Sequence, residues 1–205
     1  MDVRLRMSVA TRLSRYLQVA RQAAKGGAES ISSYEIAAYT GVNATQVRRD
    51  LSSFGKFGKR GSGYAIDVLC ERLRTILGAE ESQSVVIVGA GRVGEALLNS
   101  QLSDAQGIEI VGIFDIDASK IGKQVGPLSV SSATELKPQV KRHSARGGVI
   151  AVPAQEAQGV VDELVEAGVR VLFNYSEALL DVPSDVTVRT LSPAAELLSM
   201  LSRGA

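Results

Sequence analysis

Ten residues near the middle of the chain, Val85-Val86-Ile87-Val88-Gly89-Ala90-Gly91-Arg92-Val93-Gly94, leave room for few folds. Four aliphatic residues in a row read as a strand buried on both faces, and a G-x-G-x-x-G run leaving such a strand reads as a turn into a helix. In that setting each glycine has a task. Gly89 makes the tight turn, Gly91 lets backbone N–H groups approach a pyrophosphate, and Gly94 lets the helix pack closely on the sheet. Ala90, Arg92 and Val93 join the candidate cofactor set because they share this loop, with the phosphates expected at the helix N-terminus.

The next apolar run, Ile108 to Asp115, ends in an acid 21 residues after Gly94. A carboxylate there accepts hydrogen bonds from an adenosine ribose and repels a 2′-phosphate, so NAD is expected in preference to NADP. Asp117 and Lys120 belong to the same loop, and Lys120 keeps a phosphate-bearing alternative open. Strand ends at Val152-Pro153 and Asn174-Tyr175 add candidates for the adenine or nicotinamide ends, with an ordinary loop as the equal alternative for each.

Strands and helices alternate through this half. Strands are expected at Ser84–Val88, Ile108–Asp115, Gly148–Val152, Val169–Asn174 and Val186–Thr190. Helices are expected at Arg92–Gln101, Ser132–Val140, Gln155–Glu166 and Pro193–Ser202. Short β-branched runs between helices give an α/β fold with a doubly wound, Rossmann-type parallel sheet. The terminal helix, opened by Ser192-Pro193, is apolar on more than one face and is expected to dock on a second subunit as a swapped element.

The first 78 residues differ in kind. They carry 13 Lys and Arg against 6 Asp and Glu, while residues 79–205 carry 10 against 16. A basic module with a polyanionic partner, joined to an acidic module with another task, gives two domains, 1–78 and 79–205. The boundary lies in the polar connector after the helix Ile66–Leu77. The Arg-rich start imitates an organelle transit peptide, but Leu13, Leu17, Ala20 and Ala24 follow helical spacing into a structured motif.

That motif is a helix-turn-helix. Ser32-Ser33-Tyr34-Glu35 and Asn43-Ala44-Thr45-Gln46 each read as a capping box, and Thr40-Gly41-Val42 makes the turn between them. Val47 and Leu51 anchor the second helix, which leaves Thr45, Gln46, Arg48, Arg49 and Ser52 free to enter a major groove. Ser33 and Asn43 flank them. In the segment Ser53 to Tyr64, four glycines alternate with basic and aromatic residues. It is expected to form a β-hairpin wing carrying Lys56, Phe57, Lys59 and Arg60 to the duplex. It lacks the Gly-Lys-Ser/Thr ending of a P-loop.

Catalytic machinery is not expected. The single histidine, His143, sits in a basic surface run, and the single cysteine, Cys70, shares a helix face with Ile66, Leu73 and Leu77. Neither a metal site nor a hydride-transfer acid–base group is legible, so the chain is not read as an enzyme. One cysteine and no apolar stretch of spanning length fit a cytoplasmic protein.

The whole chain resembles the Rex family of bacterial redox-sensing transcriptional repressors. The resemblance rests on Val47-Arg48-Arg49-Asp50-Leu51-Ser52, Phe54 to Tyr64, the Gly89–Gly94 loop, Phe114-Asp115-Ile116-Asp117, Ala151-Val152-Pro153-Ala154 and Glu166-Ala167-Gly168. It implies an N-terminal winged helix, a C-terminal Rossmann domain binding NAD(H), and a homodimer that swaps terminal helices. It further implies binding to palindromic double-stranded operators when NADH is low and release as NADH rises. The chain departs from the family where Gln18 replaces an Arg, Ser100 an aromatic residue and Ser192-Pro193 an Asp-Leu pair. Those positions are implied to couple nicotinamide state to the DNA-binding half. An altered redox response, with structural NAD or another adenylate such as a coenzyme A derivative in the crevice, is the alternative reading; an NAD-dependent oxidoreductase is the remote one.

Overall fold

The computed structural model describes residues 7–55, 63–100 and 107–203. The chain divides into two compact units, Met1–Glu81 and Ser82–Ala205.

The first unit runs α1 (Met7–Lys25), β1 (Ser30–Ile31), α2 (Ser33–Thr40), α3 (Ala44–Ser52), β2 (Tyr64–Ala65) and α4 (Ile66–Ile76). Leu13, Tyr16, Leu17 and Ala20 recur at helical spacing on α1 and are buried with Leu69 and Leu73 of α4 and Val47 and Leu51 of α3. The box that opens α2 is closed in both directions: the Ser32 hydroxyl accepts from the Glu35 N–H, and the Glu35 carboxylate accepts from the Ser32 N–H. Gly41 ends α2 in the left-handed region at φ 67°, a conformation that other residues adopt only with strain. The second box is half made. Asn43 Oδ1 caps the Gln46 N–H at 2.8 Å, while the Gln46 side chain turns away to Asp50.

β1 and β2 pair antiparallel, Ser30 with Ala65 and Ile31 with Tyr64. The C-terminal end of the expected wing is thus tied to the segment before α2. Lys56, Phe57, Lys59 and Arg60 lie outside the described residues.

The second unit contains β3 (Gln83–Val88), α5 (Arg92–Leu98), β4 (Ile108–Asp115), β5 (Gln124–Val125), β6 (Leu128–Ser132), a 3-10 turn (Ala133–Glu135), α6 (Leu136–Arg142), β7 (Gly147–Ile150), α7 (Ala154–Ala167), β8 (Val171–Asn174), β9 (Thr187–Thr190) and α8 (Pro193–Arg203). The sheet order is β5-β6-β4-β3-β7-β8-β9, parallel throughout except for the β5–β6 hairpin. Without β5 this is the order of a doubly wound dinucleotide-binding sheet, whose strand order reverses between β3 and β7 and opens a crevice at their C-terminal ends.

Two local expectations need correcting, and one element was not expected. The helix after the glycine loop ends at Leu98 rather than Gln101, where the Ser100 hydroxyl donates to the Leu97 carbonyl. The helix expected at Ser132–Val140 starts as a 3-10 turn and becomes α-helical only at Leu136. The hairpin containing β6 was not anticipated, because only two of its five residues are apolar.

One face of the sheet is covered by α6 and α7 through Leu136, Val140, Ala157, Val161 and Leu164, packed on Val86, Val88, Phe114 and Ile150. On the other face Leu98 of α5 joins Ile87, Ile110 and Ile113. Beyond α5 that second face carries an apolar groove of about 250 Å³ bounded by Val85, Val149, Val171, Phe173 and Tyr175. α8 displays Leu197, Leu198 and Leu201 on its exposed side.

Candidate functional site

The crevice at the C-terminal ends of β3, β4 and β7 measures about 430 Å³ and is lined by Gly89, Gly91, Asp115, Asp117, Lys120, Val152 and Pro153. Seven of the thirteen residues expected to serve a cofactor therefore meet there. The glycines explain themselves sterically. A Cβ on Gly89, held at φ 104°, would overlap the Ala151 carbonyl, and one on Gly94 would overlap the Gly89 carbonyl oxygen. At Gly91, the N-cap of α5, a Cβ would meet nothing within 4 Å. Open space in front of a helix N-terminus suits a phosphate group, since the first N–H groups of a helix lack intrahelical partners. Ala90 is buried below the loop, and Arg92 and Val93 are exposed on its first helical turn.

Asp115 braces this cradle. Its Oδ2 accepts from the Ala90 N–H and from Lys120 Nζ, both at 2.8 Å, and its Oδ1 accepts from the Asp117 N–H at 2.9 Å. A carboxylate has about four acceptor positions, so roughly one on Oδ1 remains for a ribose hydroxyl. Burial works against the charge, yet Lys120 and the two backbone donors outweigh it and hold Asp115 below the ordinary carboxylate range. Asp115 in turn raises the Lys120 ammonium. Lys120 is thus engaged by Asp115 before any 2′-phosphate could reach it.

Asn174 and Tyr175 take other roles. Asn174 is fully buried, donates to the Ala178 carbonyl and Thr190 Oγ1, and accepts from the N–H and hydroxyl of Ser176. Its amide has no capacity left for a ligand, so it anchors the loop after β8 instead. Tyr175 lies against Phe173 in the apolar groove and does not line the glycine-loop crevice. The sequence reading missed Ile116, Leu136 and Glu156, which do line it. An apolar Ile116 between two acids at a strand end was the available signal.

In the first unit α2, Gly41 and α3 present the expected helix-turn-helix. Thr45, Arg49 and Ser52 are exposed along α3. Arg48 is exposed too, but it is held: Nη1 donates to Ser33 Oγ at 3.0 Å and Nη2 to Thr45 Oγ1 at 3.1 Å. Ser33 is buried and serves Arg48, and Asn43 serves as the cap of α3. Gln46, expected as a base reader, is corrected to a structural partner, since its Nε2 donates to Asp50 Oδ1 at 2.6 Å.

Asp50 was not anticipated. It is buried and accepts four hydrogen bonds, two from Arg12, one from Tyr16 and one from Gln46. Burial alone would push the carboxyl up, but these donors hold it below its usual range. The same site pushes the Tyr16 phenol well above the ordinary tyrosine value, burial being the largest cause. The cluster locks α3 to α1.

Comparison with known proteins fits both halves. Residues 6–52 match the family described as "Putative DNA-binding protein N-terminus", and residues 80–178 match the family described as "CoA binding domain". The redox-sensing transcriptional repressor Rex of Rubrobacter xylanophilus is 41% identical over 201 residues, 98% of this chain and 93% of that protein. The chain belongs to the Rex family of redox-sensing transcriptional repressors. The Rex of Chloroflexus aurantiacus is 40% identical, over 94% of this chain and 91% of its own. Among solved structures, the Rex-family repressor RSP in complex with β-NAD+ and operator DNA matches with a TM-score of 0.85 and 31% identity, over 98% of this chain and 93% of RSP. RSP in complex with β-NADH matches at 0.84 and 29%, over 98% of this chain and 95% of RSP. Each of these relatives is named as a repressor.

Among the described residues no cluster of three His, Cys, Asp or Glu side chains is placed to hold a metal ion, and no helix is long and apolar enough to cross a membrane.

Proposed function

We propose that this chain is a homodimeric, cytoplasmic repressor whose N-terminal domain (1–78) grips a palindromic operator and whose C-terminal domain (79–205) senses NADH against NAD+. The observation that carries the reading is the braced glycine loop: an adenine dinucleotide finds a helix N-terminus for its pyrophosphate and Asp115 Oδ1 for its ribose. Gly89, Gly91 and Gly94 hold the coenzyme, with Asp117, Lys120, Val152 and Pro153 around it; when bound, its nicotinamide supplies the redox signal. Arg49, Thr45 and Ser52 face the major groove, and Lys56, Phe57, Lys59 and Arg60 extend the contact from the wing.

Two copies present their recognition helices to half-sites one turn apart, about 34–36 Å. NADH drives release only through a higher affinity for the dimer shape that misaligns those helices. α8 exchanges between the copies, its exposed leucines supplying the apolar contact. The relay differs from the usual one: Ser192 donates to Glu177 and accepts from the Ala195 N–H, a helix-capping role. An operator gel shift titrated with NADH and with NAD+ tests the switch. Release by NADH alone is expected, and retention at saturating NADH would reject redox control while leaving DNA binding intact.

The match of residues 80–178 to a coenzyme A-binding family favours one second reading, an adenylate of that class in the same crevice. Calorimetry with NADH, NAD+, NADPH and acetyl-CoA separates the two.

A further inference from the structure

Two adjacent arginines on α3 are treated very differently by the fold. Arg49 is exposed, and while its backbone carbonyl accepts from Ser52 and Ser53, its side chain makes no hydrogen bond or ion pair to the described residues, so it is free to search a groove. Arg48 is fixed from three directions. Ser33 Oγ and Thr45 Oγ1 each take one of its Nη nitrogens, and the Tyr34 ring lies under the guanidinium with its centroid 5.6 Å from Cζ. A guanidinium has five N–H donors, so three remain free. The Tyr34 ring is itself 72% exposed, so burial does not account for a tyrosine there. Its contact with Arg48 does.

Two of the three tethers, Ser33 and Tyr34, bind Arg48 to the start of α2, the helix that crosses the sugar-phosphate backbone in this motif. A cation held there presents its free donors to a phosphate strand, whereas a base reader must reach the groove floor. We infer that Tyr34 is a positioning residue that presets Arg48 as a backbone-phosphate anchor and leaves base discrimination to Arg49. This rests on the proposed DNA-binding function. The Arg48 charge also reaches the Tyr64 phenol, which burial pushes up and the cation pulls partly back. The anchor therefore sits where α2 and α3 meet.

The full-length protein tests this with two duplexes, one enriched from a randomised pool by the wild type and one scrambled from it. Tyr34→Ala should weaken both by the same factor, about three- to tenfold, and Tyr34→Phe, which keeps the ring, should restore both. Arg48→Ala should lower the salt slope by about one per half-site, and adding Tyr34→Ala to it should change nothing more. An unequal loss on the two duplexes, a loss that persists without Arg48, or no loss at all would overturn the inference with DNA binding left standing. Failure of the wild type to bind either duplex would instead remove the functional reading beneath it.

Discussion

Arg12 of α1 clamps Asp50 of α3 with two hydrogen bonds, Nε to Oδ2 at 2.6 Å and Nη2 to Oδ1 at 2.8 Å, across 38 residues of sequence. The recognition helix is thereby fixed to the long helix that opens the chain. The Tyr16 hydroxyl completes the clamp on Oδ2 at 2.9 Å. Tyr16→Phe leaves the packing intact and removes one hydrogen bond to a buried charge, so the first unit should lose about 1.5–3 kcal/mol. Denaturant unfolding monitors this, and a change below the error of the curve would mean that the hydroxyl is dispensable.

The pH dependence has a definite sign. Asp50 and Asp115 both have folded pKa values below the ordinary carboxylate range. Their stabilisation is complete above the unfolded value of about 3.9 and is lost as pH falls through the lower folded values. Thermal midpoints should hold steady from neutral pH to about pH 5 and fall steeply below about pH 4. In Asp50→Asn the acid limb of the first unit should flatten.

Gly94→Ala forces a methyl group onto the Gly89 carbonyl oxygen. Because backbone must move, the cost should reach or exceed the usual overpacking range of about 1–3 kcal/mol. The displaced loop should also lose measurable NADH affinity by calorimetry. Wild-type affinity in this variant would dissociate the loop from ligand binding.

Asp115→Ala removes both the proposed ribose acceptor and the partner of Lys120. NADH affinity should fall, while the freed ammonium should improve tolerance of NADPH. Adding Lys120→Ala should abolish that tolerance. If NADPH binding is equal in the single and double variants, Lys120 is not the group that meets the phosphate.

Arg49→Ala should cost about 1–3 kcal/mol on the selected duplex and little on a scrambled one, as expected of a base-reading side chain. Equal losses on both duplexes would make it a phosphate contact. Quantitative gel shifts at one fixed salt concentration decide this.

How much of this was legible in the sequence depends on the range of the interaction. The glycine loop was readable because its pattern is local: four β-branched residues for a buried strand, then three glycines in six positions, even though the carbonyl that excludes a Cβ at Gly89 belongs to the distant Ala151. Gly41 and the Ser32 box were readable for the same reason. Asp50 was not, since it stands between Arg49 and Leu51 and two of its three partners, Arg12 and Tyr16, lie more than thirty residues away. Gln46 was misread with it, drawn inward by a carboxylate that no local pattern announces. Asn174 shows the opposite error. A polar residue at a strand end suggests a ligand group, yet Ser176 and Ala178, a few residues on, absorb its hydrogen bonds along with the more distant Thr190.

The Asp115 brace also bears on timing. A cradle whose carboxylate is already bound to Ala90, Asp117 and Lys120 before anything enters it has less chain freedom left to surrender on capture. How long a ligand stays is then governed by the contacts that release it. In a site built this way the donors stand in place before the ligand does, and the rate at which it empties is set by those contacts rather than by a remaking of the loop.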